Sequence, residues 1–241
     1  MTGKVITFLG PDHKAGTTSI AKAIAEAIAK DHPDKKVLFI DAEGEYLGMW
    51  RHGIKIETEE GSKDIASIIK MARQKDNLFA MTSCQAVDDL FHPDMAEYFI
   101  SSLKGSSDMD YIICASGEIE HSMAIGSLLA ADSIYIVFSH DQNCESGLRR
   151  YEWMKALYEK LDLKIDGFIL NKFNKMSAYS PWYIVQRLGI DESILYSIRT
   201  AEQGQEKATF SMLGRDNPEF TKDIKSLVKT IIKEEAVENE I

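Results

Sequence analysis

Proline and cysteine are scarce in this chain of 241 residues, at five and three. With so few prolines, long stretches can run as uninterrupted helix or strand. Cys84, Cys114 and Cys144 are odd in number, far apart and without metal-ligand spacing. They argue against a disulfide framework and an iron–sulfur cluster, and for a reducing, cytoplasmic setting. No apolar run reaches the roughly 18 residues of a membrane span, and the first residues show no signal-peptide pattern. Basic charge is also short: 28 Lys and Arg stand against 38 Asp and Glu, a net charge of −10. A surface that carries nucleic acid needs the opposite balance, so no specific nucleic acid is expected. The compact basic cluster Arg149-Arg150, with Lys155 nearby, reads as solvated helix charge. A final helix has Ile224, Leu227, Val228, Ile231 and Ile232 at helical spacing, which reads as a face packed on the domain. The acidic end, Glu234 to Ile241, would be repelled by anionic lipid, so no stable membrane insertion is expected. No internal repeat or low-complexity linker breaks the chain, and 44% hydrophobic residues suffice for one domain spanning 1–241.

What the chain does have is a loop, Gly10-Pro-Asp-His-Lys-Ala-Gly-Thr-Thr-Ser19, between two recognisable elements. Lys4-Val-Ile-Thr-Phe-Leu9 reads as a buried strand, and Ile20 to Ala29 as an alanine-rich helix. Strand, glycine-containing loop and helix N-terminus form an anion cradle, where backbone N–H groups converge and the helix dipole favours phosphate. Further apolar runs read as strands: Lys36 to Ile40, Asn77 to Ser83, Asp110 to Ser116, Ser133 to Ser139 and Ile165 to Asn171. Helix-length segments lie between them, at 62–74, 94–104, 145–161 and 180–188. Strands apolar throughout, alternating with helices, predict an α/β fold: a doubly wound, mainly parallel sheet in three αβα layers. The ligand crevice belongs at the C-terminal ends of the strands starting near Val5, Val37 and Tyr111, with residues 10–19 close to Asp41.

In their order and spacing these segments resemble the MinD/ParA group of deviant P-loop ATPases. Lys36-Val-Leu-Phe-Ile-Asp-Ala-Glu43 is similar to that group's second strand with its switch I aspartate. Met109-Asp-Tyr-Ile-Ile-Cys-Ala-Ser116 resembles its Walker B strand, Ala131 to Phe138 its "ADEVIVV" strand, and Ile165 to Phe173 the strand whose Asn contacts adenine. The Gly-Thr-Thr ending of the loop is most similar to the CpaE/TadZ branch, which helps place pilus secretion machinery. Members of that branch usually carry an N-terminal receiver-like domain. Here the chain opens almost directly on the first strand, so that domain is expected to be absent.

The resemblance implies ATP or ADP as ligand, with Mg²⁺, held by Gly10, Lys14, Ala15, Gly16, Thr17, Thr18, Ser19 and Asn171, with Thr18 on the metal. It also implies two loop lysines, one of which crosses a dimer to the partner's nucleotide. Those positions hold Asp12 and Thr17. Lys14 is the one cation in the loop, and is either a phosphate ligand or an exposed loop lysine. A charge pair lost near 4 Å forfeits up to roughly 4 kcal/mol at an effective dielectric of 20, before desolvation is subtracted. The Walker B aspartate is replaced by Ala115, with Ser116 and Glu118 as conceivable substitutes. Asp41 stands where the group positions attacking water, with Glu43 two residues on; an acid there also serves as a helix cap. Thr18 and Ser19 also suit the unsatisfied first turn of a helix, and Asn171 a local turn.

Phosphoryl transfer rests on positioning and charge neutralisation, so losses at Asp12, Thr17 and Ala115 together predict a poor catalyst. The favoured expectation is a degenerate nucleotide-binding scaffold for localisation or assembly, with protein partners among pilus or secretion components. The alternative is a working ATPase with Lys14 and Asp41 as its catalytic residues. A homodimer would form without ATP, through apolar surface; Trp50, Tyr179, Trp182 and Tyr183 are candidates, with core packing the alternative for each.

Overall fold

The computed structural model describes residues 3–12, 14–42, 54–55, 73–74, 76–82, 92–106, 108–117, 122–200 and 217–238. In chain order these form β1 (Lys4–Leu9), α1 (Thr17–Asp31), β2 (Val37–Asp41), β3 (Ile54–Lys55), β4 (Leu78–Thr82), α2 (Pro93–Ser106) and β5 (Tyr111–Ser116). They continue with α3 (Ser122–Leu129), β6 (Ser133–Ser139), α4 (Cys144–Lys160), β7 (Ile165–Phe173), α5 (Pro181–Leu188), β8 (Leu195–Arg199) and α6 (Pro218–Glu238). The strands join one eight-stranded sheet in the order β3-β4-β2-β5-β1-β6-β7-β8, with every neighbouring pair parallel.

In the six strands that the sequence predicts, alternate residues are buried on opposite faces, which is why they read as unbroken apolar runs. One face carries Ile6, Phe8, Val37, Phe39, Ile113, Ala115 and Val137 against α1 and α6. The other carries Val5, Leu38, Ile40 and Ile112 against α2, and Ile136, Phe138, Phe168 and Leu170 against α4 and α5. Helix α1 is buried almost along its length, because its alanines let it lie close between sheet and α6. Lys22 and Glu26 are buried within it, one turn apart. Desolvation pulls the Lys22 ammonium down from its ordinary value, and Glu26 partly offsets that.

Aspartates at the strand starts fix the register. The Asp110 carboxylate accepts from Lys36 N at 2.9 Å, Asp132 from Val5 N at 2.8 Å, and Asp166 from Ile134 N at 3.0 Å. Each joins two parallel neighbours at the end opposite the glycine loop, with a charge-assisted bond of about 1.5–3 kcal/mol. Asn77 closes the C-terminus of α1 in the same way, donating to the carbonyls of Ala29 and Lys35 at 2.8 and 2.9 Å.

All six predicted strands are present. β3 and β8 are additional to them; β3 has only two residues. Most of the helix expected over 62–74 lies outside the described residues, and its Arg73 forms an antiparallel bridge to Phe79. Glu43, Trp50, Cys84 and Glu118 also lie outside the described residues.

Candidate functional site

β1 sits between β5 and β6, where the chain connections diverge, and the loop after Leu9 crosses this switch point. The loop leaves the sheet through a bond from Gly10 N to the Ser116 carbonyl at 3.0 Å. Two of its residues are left-handed, Lys14 at φ 61° and Gly16 at φ 85°. Gly16 is obligatory on two counts: its φ suits glycine, and a Cβ there would fall 2.1 Å from Asn171 Nδ2. Lys14 bears the cost of a left-handed non-glycine, of order 1 kcal/mol. Gly16 caps α1, whose first bond runs from Ile20 N to Gly16 O at 3.0 Å. Thr17 is buried, and its Oγ1 lies over Gly10, 2.3 Å from where a Cβ would be. Thr18 is buried in the same turn, while Lys14 is exposed.

The end of β7 clamps this loop from the side. Asn171 Nδ2 donates to Ala15 O at 2.8 Å, and Lys172 Nζ donates to Lys14 O at 3.0 Å. Lys172 is itself left-handed, at φ 58°, and its Nζ also bonds Asp141 Oδ2 at 3.0 Å. Asn171 Oδ1 accepts from Lys172 N at 2.8 Å, so the amide combines the local turn bond with a contact to the loop. Beyond it, His140 Nδ1 accepts from Asn174 N at 3.1 Å, so Nε2 carries the proton that it donates to the Tyr179 carbonyl. This holds the segment after β7 in place.

On the other side of the loop, Asp12 is paired with Arg150 of α4, Oδ1 to Nη1 at 3.4 Å. Gly147 lies one turn earlier on α4, where an added Cβ would crowd Phe138 at 3.3 Å and meet Asp12 Cβ at an ordinary 3.9 Å. Arg150, with 41% of its side chain exposed, combines solvated helix charge with this contact to the loop. Arg149 is nearer to that description: it is exposed and pairs with Glu145 along the helix at 2.8 Å.

Asp41, Ala115 and Phe8 lie in one register row across β2, β5 and β1. All three share the parity of the α1 face, so they stand beside the base of the loop. Asp41 is buried. Ala115 offers only a methyl group where metal-bound water would need an acceptor. Ser116 faces away: its Oγ is 2.5 Å from Ser127 Oγ in α3, so it does not replace the missing acid. No group of three or more His, Cys, Asp or Glu among the described residues is arranged to hold a metal ion. The Thr18 hydroxyl in the first turn of α1 and the Asp41 carboxylate at the end of β2 are the oxygen donors that would serve a nucleotide-borne Mg²⁺ and its waters.

Of the aromatic candidates, Trp182 is 71% and Tyr183 39% exposed, on helix α5 rather than in a loop. Tyr179 packs against the α4–α5 core, so core packing describes it better than surface. Trp153, 80% exposed on α4, was masked by its helical context. Arg150 and Lys172 reach the loop from far along the chain, and Asp141 reaches Lys172, so little local pattern marks them. The one local signal was Asn171-Lys172 at the end of a strand.

No protein-family model matches the chain, and no curated protein matches it in sequence. Solved structures do. One is a ParA family ATPase from Chlorobium tepidum TLS, with a TM-score of 0.69 and 20% identity over 94% of this chain and 98% of that one. Another is the septum site-determining protein MinD complexed with Mg-ADP from Pyrococcus horikoshii OT3, with a TM-score of 0.71 and 15% identity over 99% and 100%. A third is the MinC:MinD cell division protein complex of Aquifex aeolicus, with a TM-score of 0.66 and 19% identity over 96% of each. The chain thus has the fold of the ParA and MinD ATPases, from the first strand to the last helix.

Proposed function

We propose that this chain is a single-domain, MinD/ParA-like nucleotide-binding protein of the CpaE/TadZ kind, with a degenerate site. It binds ADP or ATP with Mg²⁺, hydrolyses little or none, and serves in the cytoplasm as a localisation or assembly scaffold for pilus or secretion machinery. The observation that carries this is the mismatch between backbone and side chains at the loop. Gly16 caps α1 in a left-handed turn, as a phosphate cradle requires, while Thr17 and Ala115 stand where a lysine and a metal carboxylate are needed. The Pyrococcus MinD of the same fold holds Mg-ADP, and the Aquifex MinD is in a complex with MinC, which supports nucleotide and protein partners here. Calorimetry with ATP and ADP, each with and without Mg²⁺, tests binding; steady-state phosphate release tests catalysis. The expected result is measurable binding, with phosphate release no higher than that of Asp41→Ala. Release well above that control would refute the degenerate reading.

One observation favours the second reading, a working ATPase. Lys14 is exposed at the loop's crest and Asp41 is buried at the neighbouring strand end. In that case Lys14→Ala abolishes the activity, and an unaffected Lys14→Ala protein removes Lys14 from the mechanism.

A further inference from the structure

Asn171 is the residue that the sequence resemblance gives to the adenine of a nucleotide. The structure gives its amide other partners. Nδ2 donates to the Ala15 carbonyl at 2.8 Å, and Oδ1 accepts from Lys172 N at 2.8 Å. The residue is only 7% exposed. Its Nδ2 packs so closely on the loop that a Cβ at Gly16 would fall 2.1 Å from it. Lys172 adds a parallel tie, from Nζ to the Lys14 carbonyl at 3.0 Å. Two successive loop carbonyls are thus turned toward the end of β7.

Turning a carbonyl also aims a donor. In a trans peptide the C=O and the N–H of the next residue point to opposite sides. The Lys14–Ala15 peptide shows this: its C=O faces Lys172, while Ala15 N–H turns back to the Asp12 carbonyl at 3.4 Å. By the same geometry, Asn171 holds the Ala15 C=O and so aims Gly16 N–H away from β7, at the head of α1. Gly16 is left-handed and has no side chain to restrain it, so this plane is the one most in need of an outside hold. Backbone N–H groups at such a loop are its anion donors. We propose that Asn171 is a positioning residue for phosphate rather than a reader of the base: its amide fixes the Ala15–Gly16 peptide in the orientation on which phosphate binding depends. The inference rests on the nucleotide-binding reading above.

Asn171→Ala and Asn171→Ser test it without changing any charge, and a thermal melt of each confirms folding. Titration calorimetry of the full chain uses Mg-ADP and Mg-pyrophosphate, which has the phosphates and no base. Both variants are expected to lose the two ligands by the same factor, roughly three- to tenfold, the worth of about one hydrogen bond. In the ligand-free proteins, amide hydrogen exchange is expected to quicken at Ala15, Gly16 and Thr17 and to stay unchanged in β1. Weaker Mg-ADP with unaltered Mg-pyrophosphate would make Asn171 a base ligand and overturns the proposal. So does a wild-type protein that binds Mg-ADP and ignores Mg-pyrophosphate. Wild-type affinity in both variants overturns it too, as does exchange that quickens equally in β1, which marks a general loss of stability. A wild-type protein silent with both ligands and with Mg-ATP sinks the nucleotide-binding reading and this inference with it.

Discussion

Cys144 shows how competing effects settle the chemistry of one residue. It opens α4, and a helix N-terminus ordinarily favours a thiolate. Burial works against that, and the charges of Asp141 and Glu145 add to it, so the thiol is pushed up to about 11. Cys114, wholly enclosed in β5, is pushed up to about 12 by burial alone, against a small opposing bond from Thr7. Both should therefore be inert in the native protein. In a Cys84→Ser background, Ellman's reagent near neutral pH is expected to react with neither thiol until denaturant is added, and then with two. Prompt native-state labelling of either would show that the local packing is looser than described. Such positions explain what was legible at this scale. A small apolar residue inside a strand announces burial. The partners that tie Asp12 to Arg150, or Lys172 to the Lys14 carbonyl, leave no trace in local sequence, because the sheet order alone brings them together.

Elements were legible wherever burial was two-sided. The six predicted strands carry apolar residues on both faces, whereas β8, with Tyr196, Ser197 and Arg199 only partly covered at the sheet edge, lacks that signature. How elements dock was less legible. α4 and α5 are joined by Arg187, which bonds Glu152 Oε1 at 2.7 Å and Glu145 Oε2 at 2.6 Å and reaches Tyr183 Oη at 3.1 Å. The Arg187 guanidinium holds both carboxyls below the usual glutamate range, while their slight desolvation works the other way. A carboxyl depressed in the folded state contributes stability above its unfolded value, near 4.3, and loses that contribution as pH falls through the folded value. Arg187→Gln should therefore melt below wild type at pH 7, and the gap should narrow below about pH 4. High salt should narrow it too, since the carboxylates are solvent-facing and screened. A gap in melting temperature that is constant from pH 7 to pH 3 would assign the effect to packing instead.

At the scale of the whole molecule, the loop's charge arrangement bears on self-association. In the group that the sequence resembles, a loop lysine crosses to the partner's nucleotide, so the ligand itself draws two chains together. Here that position is Asp12, and its side chain is held within its own chain by Arg150. A partner's triphosphate would meet an aspartate–arginine ion pair, which supplies no net positive charge to draw it in. The outward apolar groups offer a different route. Trp182 and Tyr183 project from α5 and Trp153 from α4, and exposed aromatics of this size are characteristic of contact surfaces. Any dimer is therefore expected to form through such surface and to be indifferent to nucleotide. Sedimentation velocity at several protein concentrations should return the same distribution with and without Mg-ATP, and Trp182→Ser should shift any dimer toward monomer. A chain that sediments as a monomer alone and as a dimer only with Mg-ATP would refute this expectation. The loop then acts as a nucleotide-driven clamp despite its missing lysines.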